Sequence, residues 1–148
     1  MSESACTVRM LHTGGAAVLD DVAADVFDHA IDARWTAEFF ADPRHHLAVA
    51  VDGGRVVGFA SGVHYLHPDK PPELFINEVG VAPTHQGRGL ARQLMQALLD
   101  HGRTLGCVQA WVGTDHDNTA ANRLYASVGG VPEAFVLYAF DLRGAEDR

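Results

Sequence analysis

The stretch Glu73 to Leu105, ELFINEVGVAPTHQGRGLARQLMQALLDHGRTL, decides how the rest of the chain is read. It predicts a strand, a glycine-rich turn and an amphipathic helix. Leu74 to Val81 is rich in β-branched and aromatic residues and is bounded by Pro83, which cannot continue a ladder. Glu78 and Gly80 break this apolar run. A carboxylate is costly to bury unless paired, and a glycine inside a strand marks a bulge or a close backbone approach. After Gly87 to Gly89, the residues Leu90, Ala91, Leu94, Met95, Leu98 and Leu99 fall on one face at helical spacing.

No Ser, Thr, Asp or Asn stands at the cap of that helix; Gln86 and two glycines stand there instead. The first turn of a helix carries unpaired N–H groups and the positive end of the macrodipole, so an anion is the natural partner. Glycines let a phosphate approach the backbone, and Arg88 and Arg92 can add charge around it. A tight strand-to-helix turn with solvated arginines would carry the same residues.

Working outward, the N-terminal part predicts a strand over Thr7 to Leu11, a helix over Ala16 to Phe27 and a shorter helix over Arg34 to Phe40, stopped by Asp42-Pro43. His46 to Val51 and Val56 to Tyr65 read as two strands joined by the turn Asp52-Gly53-Gly54-Arg55. Beyond the central helix, Cys107 to Val112 reads as a strand, Asn118 or Thr119 as the cap of a helix through Val128, and Ala134 to Leu142 as a last strand buried on both faces.

The chain has 148 residues, enough for a single domain over residues 1–148 with its own core. Its two cysteines, Cys6 and Cys107, are far apart and fit no CxxC pattern, so neither a zinc site nor a disulfide framework is expected, and a cytoplasmic setting is. The histidines, His45 and His46 included, read as surface or loop residues, with no metal site. A net charge of -8 argues against a nucleic-acid partner and suits a cationic one. No run is apolar and long enough to cross a membrane.

Gln86-Gly87-Arg88-Gly89-Leu90-Ala91, following a strand that ends Val79-Gly80-Val81-Ala82-Pro83, resembles the Q/R-x-x-G-x-G/A pyrophosphate loop of the GCN5-related N-acetyltransferase (GNAT) superfamily. Asn118 to Gly129, NTAANRLYASVG, is similar to the family's later helix, where an asparagine and a tyrosine face the cofactor. The resemblance implies an α/β (α+β) GNAT fold: a mixed, mainly antiparallel sheet of six to seven strands, helices on both faces, and a splayed pair of parallel strands holding Val79 and Trp111. It implies acetyl-coenzyme A as cofactor, held by Val79 and Val81 along the pantetheine, by Gln86, Gly87, Arg88, Gly89, Leu90 and Ala91 at the pyrophosphate, and contacted by Asn118 and Asn122. Asn118 also reads simply as a helix cap.

Direct attack of an amine on a thioester needs a neutral amine, whereas alkyl amines with a reference pKa of about 10 are protonated at neutral pH. Glu78 is the expected general base, its pKa raised by burial, and a bulge at Glu78 to Gly80 is expected to free a strand N–H for the thioester carbonyl. Tyr125 matches the family tyrosine that protonates the departing thiolate. A solvated or arginine-paired Glu78 and a core Tyr125 are the alternatives. Within the family the chain looks most like the type I aminoglycoside 3-N-acetyltransferases, because Glu78, the Asp115-His116-Asp117 loop and the ending Phe140-Asp141-Leu142 have counterparts there. That implies a small cationic amine as partner and Asp28, His29, Asp32, Glu78, Asp115, His116 and Asp141 as its contacts, with a homodimer possible. Another small amine, a protein amine, or a non-catalytic acyl-coenzyme A module are the other readings.

Overall fold

The computed structural model describes residues 6–145. One mixed sheet of five strands runs β1 (Thr7–Leu11), β2 (His45–Asp52), β3 (Arg55–Tyr65), β4 (Glu73–Val81) and β5 (Ala110–Trp111), in that spatial order. The first four are antiparallel neighbours, and β5 lies parallel to β4. Around it are α1 (Ala33–Ala41), α2 (Leu90–Thr104) and α3 (Thr119–Ser127).

The pleat explains which face each helix covers. Alternate residues of β3 point to opposite sides: a Cβ on Gly58 would meet Leu94 and one on Gly62 would meet Leu98, so α2 covers that face. It buries Leu90, Leu94, Met95 and Leu98 there, as its helical spacing predicts. Phe59, between them in parity, points the other way and stacks on Phe27 with ring centroids 4.0 Å apart. Helices therefore occupy both faces, with α1 bringing Phe39 and Phe40 beside Leu47 of β2.

The expected six to seven strands are five, because Ala134 to Leu142 is not a strand among the described residues. Its apolar, β-prone sequence forms no regular structure and stays exposed, and a strand exists only where a neighbouring backbone pairs it. Two further boundaries differ. The helix expected over Ala16 to Phe27 is a 3-10 helix over Gly15–Asp20, after which Val22 pairs with Val56 as an isolated parallel bridge. That pairing takes the 21–23 backbone out of any helix: Ala23 N–H donates to Val56 and Val56 N–H to Asp21. The strand expected over Cys107 to Val112 shrinks to Ala110–Trp111, since β4 offers it pairing only at Leu74 and Phe75.

Candidate active site

Strand β4 is bulged, though not where expected. Ser61 faces Glu78 while Gly62 faces Ile76, so Asn77 is the extra residue. Parity inverts there: Leu74 and Ile76 lie buried, whereas Glu78 turns to the face opposite α2 and lines a cleft. Ala82 N–H donates to Val57 of β3, 2.8 Å away, so by alternation Gly80 also addresses β3 and the backbones of Val79 and Val81 address the other edge. The β4–β5 ladder ends at Phe75↔Trp111, so that edge is unpaired from Ile76 onward among the described residues. The parallel pairing stops at this point, leaving the N–H groups of Val79 and Val81 as strand donors on the open side.

The open edge leads into the turn before α2. Gly87 and Gly89 both have φ of 78°, and a Cβ at either would meet nothing within 4 Å, so the loop is left-handed and its outer side is clear. Helix α2 has no side-chain cap, and the amides from Gly87 to Arg92 make no hydrogen bond among the described residues. These are the donors an anion requires. Gln86 Nε2 donates to Val81 O at 3.1 Å, and His85 Nε2 pairs with Asp52 Oδ2 at 2.8 Å, fixing the loop to the end of β4 and to the β2–β3 hairpin. Arg92 is exposed and makes no ion pair among the described residues. The residues present thus fit a diphosphate-bearing cofactor.

Glu78 shares a cleft of about 370 Å³ with Asp28, His29 and Asp32, walled by Phe27, Ile31, Trp35, Phe39, Phe40 and Leu47. Four of the seven expected acceptor contacts are therefore gathered in one place. Asp32 also caps α1, its Oδ1 accepting from Trp35 N–H at 2.9 Å. Glu78 is exposed, which corrects the expectation that it is buried: past the bulge its side chain enters the cleft and not the core. Asp115, His116 and Asp141 do not line the cleft. Asp115 and His116 sit in the loop before α3, and Asp141 pairs with Arg143 at 2.9 Å on the exposed C-terminal segment.

On α3, Asn118 is a cap, its Oδ1 accepting from Ala121 N–H at 3.0 Å. Asn122 Nδ2 is turned inward, donating to Asn118 O at 2.8 Å and reaching the carbonyls of Asp115 and His116. That occupies the amide expected to face a cofactor. Tyr125 is half-buried beside the core, and burial pushes its phenol above the ordinary value.

The histidines depart most from expectation. His46 is buried on β2, 2.7 Å from His64 and 3.1 Å from His101 of α2. Cys6, Asp52 and His85 also come together, with donor atoms within 4.8 Å of one another. Neither group shows ligand spacing in sequence, because strand pairing and not local repeat assembles them. Trp35, Phe39 and Phe40, carried by the helix expected over Arg34 to Phe40, line the same cleft as Glu78, a juxtaposition that the fold and not the local sequence provides.

A sheet whose parallel edge strands part beside an uncapped, glycine-led helix is the arrangement of an acetyltransferase of the GNAT type. The chain belongs to the Acetyltransferase (GNAT) family, whose model it matches over residues 17–129, and enzymes of this family take their acetyl group from acetyl-coenzyme A. It is 44% identical over 89 residues to the N-alpha-acetyltransferase RimI of Mycobacterium tuberculosis, covering 60% of this chain and 54% of that protein. It is 30% identical over 113 residues to an uncharacterized N-acetyltransferase of the same organism, covering 76% of this chain and 70% of the relative. The chain thus spans about half of the first relative's length. In fold it is similar to the aminoglycoside N-acetyltransferase AAC(6')-Iy in complex with CoA, with a TM-score of 0.77, 19% identity, and coverage of 96% of this chain and 98% of that one. The neighbour's name carries the 6' designation, so the 3-N resemblance finds no support in it.

Proposed function

We propose that this chain is an acetyl-coenzyme A-dependent N-acetyltransferase acting on a primary amine of a small cationic acceptor, best described as an aminoglycoside. The observation that carries the reading is the cleft in which Glu78 meets Asp28, His29 and Asp32 between aromatic walls. Three carboxylates suit several ammonium groups on one molecule, and apolar walls suit the faces of sugar rings. The volume lies in the range of small-molecule sites.

Bound, the cofactor supplies an acyl thioester. The amides of Gln86 to Ala91 would hold its pyrophosphate, and the backbones of Val79 and Val81 would hold the pantetheine along the open edge of β4. Val79 N–H would be a preorganised donor for negative charge growing on the carbonyl oxygen, an arrangement worth about 3 kcal/mol of barrier. Glu78 takes a proton from the acceptor ammonium, directly or through water, and its exposure to the cleft places it on the acceptor side. Tyr125, a phenol that carries its proton at neutral pH, would be the donor for the leaving sulfur.

A second reading, acetylation of a protein N-terminus, is favoured by the similarity to RimI. A thiol-release assay across kanamycin- and gentamicin-type amines, polyamines and alanine-starting peptides separates the two. Turnover of aminoglycosides with the peptides inert supports the first reading; turnover of peptides alone replaces it. No thiol release with any amine, despite coenzyme A binding, leaves a non-catalytic module.

A further inference from the structure

Three segments remote in sequence bring a thiol, a carboxylate and an imidazole together outside the cleft. Thr7 of β1 pairs with Val51 of β2, so the next step along this antiparallel ladder sets Cys6 across from Asp52. His85 arrives from the turn after β4, where its backbone N–H donates to Ala82 O at 2.8 Å. Its Nε2 pairs with Asp52 Oδ2, also at 2.8 Å. Donor atoms of Cys6, Asp52 and His85, one from each, all lie within 4.8 Å of one another. None of the three residues lines the cleft that holds Glu78.

Burial, orientation and spacing distinguish this group from a surface ion pair. The side chains of His85 and Asp52 are only 15% and 16% exposed, and Cys6 is half-buried against the core, so bulk water competes weakly while a path from solvent remains. Thr84 Oγ1 pairs with His85 Nδ1 at 2.7 Å, which leaves Nε2 for Asp52. A metal-bound histidine is almost always held by its other ring nitrogen in this way. Ligand atoms around a tetrahedral zinc ion stand roughly 3.3 to 3.8 Å apart, given bonds of about 2.0 to 2.3 Å. The separations here, from 2.8 Å to no more than 4.8 Å, straddle that range.

We propose that Cys6, Asp52 and His85 bind a zinc ion. The ligand set chooses the metal: magnesium and calcium take oxygen ligands, whereas a thiolate beside an imidazole selects zinc and its near neighbours. Thiolate and carboxylate together balance the charge of the dication, and Cys6 gives its proton to solvent as the metal enters. The ion takes the place of the hydrogen bond between His85 and Asp52, and three protein ligands leave the fourth position to water. His85 immediately precedes Gln86, where the glycine turn before α2 begins. The metal therefore clamps the start of β1 and the β2–β3 hairpin to that turn, whichever amine the cleft accepts.

The test is a zinc titration of the full-length chain by calorimetry, with cobalt(II) as the spectroscopic probe. One zinc ion per chain is expected, and cobalt should give the near-ultraviolet charge-transfer band of a thiolate ligand. Cys6→Ala and Asp52→Asn should each weaken zinc binding at least about tenfold, and Cys6→Ala should remove the cobalt band. His46→Gln, which alters the His46, His64 and His101 chain of imidazoles, should leave zinc affinity unchanged. Failure to bind zinc in the micromolar range overturns the proposal. So does equal affinity in the parent and Cys6→Ala, or a cobalt complex without the band. A band that persists in Cys6→Ala places the ion on Cys107, and zinc lost only in His46→Gln places it on the imidazole chain; either overturns the proposal. The cobalt spectrum is read on the unaltered chain, so that outcome does not depend on a variant folding.

Discussion

The carbonyl of Val26 crosses strand β4 directly above Gly80, so that a Cβ at Gly80 would lie 2.5 Å from that oxygen and 2.9 Å from the ring of Phe59. The segment that carries Asp28 into the cleft is thus seated on a glycine. Gly80→Ala must push the 22–28 backbone or Phe59 away, and neither is a flexible side-chain end. The expected result is a loss of about 1 to 3 kcal/mol in stability, read as a lower melting temperature, with a raised KM for the acceptor. Gly113→Ala, which meets nothing within 4 Å, is the control and should melt as the parent does. An unchanged melt for Gly80→Ala would show that the 22–28 backbone yields to a methyl group at no cost.

At the start of α2 the expected effect falls on the cofactor alone. Gly89→Glu adds a carboxylate to the positive end of a helix at a residue with φ of 78°. Calorimetry should show no measurable coenzyme A binding. Arg92→Ala should weaken binding by less, and the weakening should shrink in high salt, because main-chain amides supply most of the donors.

How much of this was legible beforehand differs between the two halves of the site. The cofactor side is local: strand, glycines and helix follow each other from Glu73 to Thr104, so periodicity and turn chemistry read them directly. The acceptor side is not. Asp28 and Glu78 share a cleft only because Val22 bridges to Val56 and a bulge at Asn77 inverts the face of β4, and neither leaves a period in the sequence. The strand expected over Ala134 to Leu142 failed for the opposite reason: its apolar pattern is local and legible, but a strand needs a neighbouring backbone to pair it, and none does so among the described residues.

Tyr125→Phe keeps the ring beside Leu124 and removes only the hydroxyl. The expected change is a fall in kcat of about 10- to 1,000-fold with coenzyme A affinity little altered, the range for loss of one general acid. Parent-like turnover would return Tyr125 to a packing role.

His46 links stability to pH. Burial first, and then the neighbouring His101, His64 and His45 against the opposing pull of Asp42, hold its pKa down to about 4, below the ordinary 6.5. The folded state therefore binds fewer protons than the unfolded chain between these values. The stabilising effect is complete above pH 6.5 and is lost as pH falls toward 4, on the order of 3 kcal/mol in all. His101 is lowered too, chiefly by burial, and acts in the same direction. Denaturant titrations from pH 7 to 4 should show this slope, and His46→Gln should flatten it.

Glu78→Gln tests the acceptor chemistry. An amine with a reference pKa of about 10 is almost wholly ammonium below neutrality, so the need for a proton acceptor grows as pH falls from 8 toward 6. The amide keeps the shape of Glu78 and cannot take the proton. kcat/KM should therefore fall in the variant, and fall most on the acid side. Asp28→Asn and Asp32→Asn act differently, since each removes a charge that holds ground and transition state alike. Asparagine still caps α1 at position 32, so the second variant isolates the charge from the cap. Both carboxylates are exposed, and the expected rise in KM is only about 2- to 5-fold, with kcat nearly unchanged and the difference erased by salt. If Glu78→Gln instead raises KM alone, with a pH profile parallel to the parent's, the carboxylate merely binds the cation and the proton leaves by another route.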